Sequence, residues 1–216
     1  MDALYQAHER YLVGIEGVKE VWLIRHGDAY GDQVALRAND QFDPPLSTAG
    51  RLQAGRLGRR LAAAGLRTLW SSDLVRARET AEIAAEQLPG AAVAVERRLR
   101  EVKTHWDDGM VPPPPEDCAE SDFPFLEPED DVVARMHAAV LAIAADLEVS
   151  GQPRAAAVSH AAAIGAYVAH LLGLPYGKLP ILPQYTSVSV LRVKDGRVVV
   201  QSLTDISHRL GEDEPD

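Results

Sequence analysis

The sequence predicts an α/β fold: a mostly parallel sheet covered by helices on both faces, with an antiparallel hairpin at one edge. Three observations carry that expectation. Short β-branched or apolar runs alternate with longer amphipathic ones along the chain. Lys194-Asp195-Gly196 separates two alternating segments, and an Asp-Gly pair in that setting is a strong hairpin signal. The length of 216 residues, with 46% hydrophobic and 25% charged residues, is that of a globular chain able to bury one sizeable core. No repeat or flexible linker divides it, so residues 1–216 read as one domain with a Pro-rich acidic excursion over 107–131.

In chain order, Val18 to Ile24 (VKEVWLI) reads as a buried strand that stops at Arg25-His26-Gly27. Asp43-Pro44-Pro45-Leu46-Ser47 leads into an amphipathic helix over about Thr48 to Ala64. Ser47 is its expected N-cap, Gly65 closes it, and Leu52, Leu57 and Leu61 are assigned to one side. A short strand at Thr68 to Trp70 precedes the capping residues Ser71-Ser72-Asp73 and a helix over about Leu74 to Leu88, ended by Pro89-Gly90. Ala91 to Val95 is a weak strand and Leu99 to Val102 a transition. After the excursion, Pro128-Glu129-Asp130-Asp131 opens a helix to about Glu148, its carboxylates at the positive end of the helix dipole. Arg154 to Val158 is a strand that stops at Ser159-His160, and an apolar helix over Ala161 to Leu172 follows, closed by Gly173 and Pro175. Ser187 to Val193 and Arg197 to Leu203 form the hairpin arms.

Charge and composition exclude several function classes. With 22 Lys plus Arg against 32 Asp plus Glu, the net charge is −10, and no basic stripe offers nucleic acid or anionic lipid a local partner. The acidity is uneven. Residues 107–131 hold ten acidic groups, six of the 14 prolines and no Lys or Arg, and residues 211–216 hold four more acids. Without them the count is 22 basic against 32 − 10 − 4 = 18 acidic, a body of +4. The excursion is therefore expected to be a wall or lid that repels polyanionic substrates. One cysteine, Cys118, cannot close an intrachain disulfide. Residues 1–17 lack an apolar signal core, and the longest apolar run is too short to span a bilayer. The expectation is a soluble cytoplasmic protein with no nucleic-acid or membrane partner.

Three strands stop on polar residues: at Arg25-His26, before Ser71-Ser72-Asp73 with Arg76 beyond, and at Ser159-His160. In open parallel sheets ligands bind outside the carboxyl ends of strands, so Arg25, His26, Arg76 and His160 are expected to converge on one crevice. Two arginines and two histidines make an oxyanion pocket, because guanidinium forks match phosphate oxygens and a helix N-terminus adds N–H groups. Like charge from the arginines is expected to keep His26 neutral and nucleophilic near neutral pH.

With these residues in view, the sequence resembles the histidine phosphatase superfamily, the phosphoglycerate mutase-like family. The resemblance rests on V-W-L-I-R-H-G-D-A, D-P-P-L-S-T-A-G-R-L-Q-A, S-S-D-L-V-R-A-R-E-T-A, L-R-E-V and A-V-S-H-A-A-A-I, in the family's order over about residues 21–174. It implies a three-layer α/β/α sandwich, His26 as the phosphorylated nucleophile, and Arg25, Arg76 and His160 as ligands of the phosphoryl oxygens. It also implies Glu101 as proton donor to the leaving group, with protonated His160 assisting catalysis, and neither a cofactor nor a metal. Two positions depart from the family's pattern: Ala161 stands where glycine is usual after the histidine, and Asp28-Ala29-Tyr30 follows Gly27.

Taken alone, each residue has a plainer reading. A strand-end histidine is most often structural, and Arg76, Arg78 and Arg51 are ordinary solvated helix arginines; mutual company reverses this for His26 and Arg76 only. Glu101 alone is an exposed glutamate after Arg97-Arg98. Asp28 makes an H-x-D spacing with His26, but the remaining metal ligands are absent from the pattern and the arginines would repel a cation. His8, His105, His137, His170 and His208 have no grouping, apart from the nearness of His105 to Glu101.

The function expected is metal-independent hydrolysis of a small-molecule phosphomonoester. Phosphoglycerate mutases resemble the chain up to Glu101 and continue with a glutamate-arginine-histidine-tyrosine run and a carboxylate-gripping arginine pair. Here Val102-Lys103-Thr104-His105-Trp106 follows, with no arginine before Arg135, so mutase chemistry is the alternative. A non-catalytic phospholigand-binding protein is the alternative from another class, and such a binder has no use for a proton donor. Specificity is assigned to the segment after Glu101, with His105 and Trp106, to Tyr30 and to the region around Tyr185. The hairpin edge leaves a homodimer open.

Overall fold

The computed structural model describes residues 8–31, 43–102, 127–174 and 181–209. Most of the excursion, with His105, Trp106 and Cys118, lies outside the described residues. The strands are β1 (Lys19–Arg25), β2 (Leu69–Ser71), β3 (Val93–Val95), β4 (Arg154–Ser159), β5 (Val188–Lys194) and β6 (Arg197–Asp205). The helices are α1 (Thr48–Ala63), α2 (Val75–Ala85), α3 (Glu129–Val149) and α4 (Ala161–Leu172). Short 3-10 turns cover Arg97–Leu99 and Ser207–Arg209. No helix among the described residues is long and apolar enough to cross a membrane.

One six-stranded sheet runs in the order β3-β2-β4-β1-β5-β6. The pairs β2/β3, β2/β4 and β1/β4 are parallel, while β1/β5 and β5/β6 are antiparallel. The pleat of β1 shows why a run of consecutive apolar residues is needed. Val21 and Leu23 enter one core with α3 and α4, whereas Trp22 and Ile24 enter another with α1 and α2. Helices thus cover both faces, which makes the three-layer α/β/α sandwich. Burying each fully enclosed side chain such as Leu23, Ile24, Leu57 or Leu61 contributes roughly 1.5–3 kcal/mol. The hairpin forms as expected, with Asp195 at φ 49° and Gly196 at φ 75°, the backbone a type I′ turn requires.

One side-chain assignment is corrected. Leu52 is 60% exposed, while the buried face of α1 is Gly50, Gln53, Ala54, Leu57, Gly58 and Leu61. Five residues separate Leu52 from Leu57, which turns it roughly 140° from that stripe at 3.6 residues per turn. Small residues carry the packing face instead. Several ends also move by one to three residues. β1 continues through Arg25, because Arg25 N–H reaches the Ser187 carbonyl at 3.3 Å and Arg25 pairs with Ser159. β6 reaches Asp205 rather than Leu203, and α2 gives way after Ala85 to turn bonds such as Leu88 N–H to Ala85 O.

Candidate active site

The parallel register of β1 and β4 aligns Arg25 with Ser159, and His26 N–H donates to the Ser159 carbonyl at 3.0 Å. Each strand's next residue is a histidine, so the register alone brings His26 and His160 together, with ring centroids 5.1 Å apart. On the other side of β4, Ser72 N–H donates to the Val158 carbonyl at 2.9 Å, which starts α2 at the same sheet edge. Arg76, one residue into that helix, extends its Nε to 3.2 Å from Nε2 of His26. Arg25, His26, Arg76 and His160 therefore meet at the carboxyl ends of β1, β2 and β4.

The imidazole of His26 is held in one tautomer. Its Nδ1 lies 2.6 Å from the Gly27 carbonyl, which can only accept, so Nδ1 carries the hydrogen and Nε2 presents its lone pair to the Arg76 N–H. The ring is 3% exposed, and burial is the main reason its pKa falls well below the ordinary value. Arg76 and then Arg25 lower it further. The expected neutrality holds, with desolvation ahead of like charge as the cause.

His160 is equally buried, and its pKa too falls well below the ordinary histidine value. Burial leads, followed by Arg76, His26, Arg135 and Arg25. Burial and the neighbouring guanidinium groups thus disfavour the protonated imidazole here, and no carboxylate among the causes offsets them. Its Nε2 lies 3.0 Å from Ser72 Oγ, and Nδ1 has no hydrogen-bond partner among the described residues.

Arg25 donates from Nη1 to the Pro183 carbonyl at 2.8 Å, and its guanidinium carbon sits 3.9 Å from the centroid of the Tyr185 ring. Its Nε is buried with no hydrogen-bond partner among the described residues. Tyr185 in turn hydrogen-bonds Asp28. Burial alone would raise the Asp28 carboxyl, but bonds from Ser47, the backbone of Tyr30 and Gly31, and Tyr185 hold it below its usual value. Those bonds measure 2.6 Å from Ser47 Oγ, 3.0 Å from Tyr30 N–H and 2.9 Å from Gly31 N–H. Asp28 is thus a turn-forming acceptor, whose oxygens are engaged by its own loop and by Ser47 and Tyr185.

Glu101 stands at the N-terminus of α4. Its Oε1 accepts from the N–H groups of Val102 and Ala163, both at 2.9 Å, and Oε2 accepts from Ala162 N–H at 3.3 Å. His160, the residue at the N-cap position, makes no side-chain cap, so Glu101 from a different segment supplies it.

Residues beyond these five build the loop that carries His26. Gly27 N–H donates to Thr80 Oγ1 at 3.0 Å, Asp28 N–H donates to Gln53 Oε1 at 2.9 Å, and Ser47 caps α1 through Gly50 N–H at 3.0 Å. A Cβ on Gly50 would overlap the Asp28 carbonyl, so only glycine lets α1 approach that turn. Asp43 Oδ1 accepts from Val75 N–H at 2.8 Å and lies 3.4 Å from Arg76 Nη1. Glu79 accepts from Leu46 N–H at 2.8 Å and from the half-exposed Arg51 at 3.0 Å.

The family model described as histidine phosphatase superfamily (branch 1) matches residues 21–206. The chain belongs to the histidine phosphatase superfamily. Its members are phosphatases or mutases that work through a phosphohistidine intermediate. A relative in Klebsiella pneumoniae named probable phosphoglycerate mutase GpmB is 32% identical over 207 residues, spanning 88% of this chain and 94% of the relative. Among solved structures, one named mycobacterial hydrolase 1 matches with a TM-score of 0.67 and 26% identity, over 87% of this chain and 99% of that one. A mycobacterial glucosyl-3-phosphoglycerate phosphatase solved with VO3 matches at 0.65 and 27%, over 85% and 98%.

Within this superfamily fold, the loop-building residues explain the length of the motifs. Thr80 lies four residues after Arg76 and so shares its helix face, and its hydroxyl donates to the Arg76 carbonyl at 2.7 Å while accepting from Gly27. That i, i+4 spacing was the legible signal for Thr80. Asp43 and Glu79 gave none, because their partners, backbone N–H groups together with Arg76 and Arg51, lie in other segments. His208 proves to be grouped after all: it contacts Arg60 at 3.1 Å and Thr186 Oγ1 at 3.2 Å, and burial with Arg60 lowers its pKa to about 4. Among the residues assigned to specificity, Tyr185 lies at the site, with its ring centroid 5.9 Å from that of His26.

Proposed function

We propose that this chain is a cytoplasmic, metal-independent phosphomonoester hydrolase that acts on a small-molecule substrate through a phosphohistidine formed on His26. The observation that carries the reading is the single tautomer of a buried, neutral His26, with its Nε2 lone pair facing the crevice shared by Arg25, Arg76 and His160. In the first step Arg76 Nε–H moves from that lone pair to a phosphoryl oxygen, and the freed lone pair attacks phosphorus in line as the P–O bond to the alcohol breaks. Glu101 in its acid form gives its proton to the departing oxygen. Arg25 and Arg76 hold the equatorial oxygens where negative charge accumulates, and they meet the charge a divalent cation would otherwise neutralise. Ser72 Oγ also accepts from Leu74 N–H at 3.3 Å; with its own hydrogen donated to Nε2 of His160, the Nδ1 of that ring, which has no partner among the described residues, carries the hydrogen that meets the phosphoryl group. In the second step water attacks the phosphohistidine, Glu101 takes the water's proton, and phosphate leaves.

The name of the curated relative favours a second reading, mutase-type transfer. Hydrolysis is preferred because water needs no anchor, whereas a mutase must orient an acceptor, and the arginine pair that would grip its carboxylate is missing after Glu101. Assay with p-nitrophenyl phosphate and with 3-phosphoglycerate in EDTA tests all three readings. Phosphate release from either compound supports the hydrolase, and interconversion to 2-phosphoglycerate without net release establishes the mutase. Binding without turnover of any phosphomonoester establishes the phospholigand binder, and activity abolished by EDTA overturns the metal-free mechanism.

A further inference from the structure

Arg135 projects from α3 and donates five hydrogen bonds through five N–H groups. Nε reaches Glu127 Oε1 at 2.6 Å and Nη2 reaches Glu127 Oε2 at 2.9 Å. Nη1 reaches the carbonyls of Arg98 and Arg100, both at 2.7 Å, and Nη2 also reaches the Glu101 carbonyl at 3.3 Å. The fork with Glu127 fixes the guanidinium plane, and both side chains are largely buried, at 17% and 12% exposure. Three carbonyls within four residues are thereby tied to one rigid group on a long helix.

This fastening matters because of what stands on the fastened backbone. Residues 96–102 contain no regular strand; they pass from Glu96 through a single 3-10 turn to Glu101. Besides Arg135, the segment is held by Glu96 N–H to the Ser71 carbonyl at 2.8 Å, by the side chains of Arg97 and Arg100 on Asp73, by Ser159 Oγ to the Leu99 carbonyl at 2.7 Å and by the Glu101 carboxylate at the start of α4. A carboxylate that must later leave those N–H groups to meet substrate cannot also be the anchor of its own backbone.

We propose that Arg135 is a positioning residue for the proton donor: its guanidinium, oriented by Glu127, sets the backbone at 98–101 so that the Glu101 carboxyl meets the leaving-group oxygen. The inference rests on the assignment of Glu101 as general acid. Misplacement of a catalytic group by about 1 Å can cost on the order of 10²-fold. Lysine at 135 keeps a charge yet cannot form the fork or reach three carbonyls and a carboxylate at once.

The test uses the dependence of general-acid catalysis on the leaving group. A poor leaving group such as the alcohol of glycerol 2-phosphate needs the proton, whereas p-nitrophenolate leaves with little help. The parameter is kcat/KM, which ends with loss of the alcohol and so excludes the water step. Glu101→Gln is the reference, and Arg135→Lys and Glu127→Gln are the test variants, each checked for the native fold by near-UV circular dichroism. The expected result is that both test variants lose roughly 10–10²-fold on glycerol 2-phosphate and several-fold less on p-nitrophenyl phosphate, in the same sense as Glu101→Gln. Equal losses on the two substrates, or no loss, while Glu101→Gln discriminates between them, would overturn the positioning role and leave the acid assignment standing. A Glu101→Gln variant that does not discriminate removes the acid assignment and the inference with it. A variant that fails the fold check is replaced by Arg135→Gln under the same criteria.

Discussion

The ends of β1 and β4 are near copies in local design. Each is an apolar parallel strand that stops on a polar residue and a histidine, each histidine is buried, and burial beside arginines disfavours a charge on each. They differ at the second ring nitrogen. His26 has a backbone carbonyl on Nδ1 and an arginine on Nε2, whereas His160 has a serine on Nε2 and no described partner on Nδ1. The chain also leaves the two ends differently: β4 runs straight into α4, while β1 enters a turn pinned by Thr80, Gln53 and Ser47. The lesson is that identical residue types at adjacent strand ends acquire different chemistry from their hydrogen-bond partners. Under the proposed function, the lone pair beside Arg76 is the nucleophile and the nitrogen of His160 without a described partner is a phosphoryl ligand.

The largest expected effect breaks the pair apart. His26→Ala is expected to cost on the order of 10⁴–10⁶ in kcat and to abolish the acid-labile, alkali-stable phosphoenzyme trapped by quenching, as loss of a nucleophile does. His160→Ala removes only one donor to the phosphoryl group, so roughly 10²–10³ is expected, with the phosphoenzyme still trappable. A phosphoenzyme that survives in His26→Ala and vanishes in His160→Ala would invert the assignment.

A smaller effect sharpens what the pinned turn contributes. Thr80→Val keeps the shape but leaves the Gly27 N–H without its acceptor, which should lower the urea-unfolding free energy by about 1–3 kcal/mol. No change would show that the turn does not depend on Thr80.

An effect of similar size treats the two histidines alike. Both have folded pKa values below their unfolded value near 6.5, so below that pH the unfolded chain takes up protons that the folded chain refuses. Stability is therefore fully present above about pH 6.5 and falls as pH drops, by up to about 1.4 kcal/mol per unit for each histidine. Thermal unfolding between pH 7.5 and 5.5 should show this slope, reduced in His26→Ala. His208 adds a contribution in the same sense over the interval down to about 4. An unchanged slope in His26→Ala would show that the buried ring titrates normally.

Much of this is legible in the sequence. The apolar run of β1, the Ser47 cap, the Asp195-Gly196 turn and the strand-end positions of Arg25, His26 and His160 follow from patterns within a few residues. Leu52 lies off the buried stripe of α1 because that stripe follows the helical period through Gly50, Gln53 and Gly58 rather than the leucines. Arg135 and Glu127 carried no signal for their task. Their partners are main-chain carbonyls up to 37 positions away, and a carbonyl has no letter in a sequence.

By itself the sequence determined the element order, the α/β class, and a family whose chemistry centres on a strand-end histidine. Only the tertiary structure decided which nitrogen of His26 carries its hydrogen, that burial disfavours a charge on His160, that Glu101 caps α4, and that Arg135 bonds the carbonyls of Arg98, Arg100 and Glu101. The physical reason is one of range. Propensity, capping and hydrophobic period act between near neighbours in the chain, whereas desolvation and the pairing of ring nitrogens depend on atoms that only packing brings together.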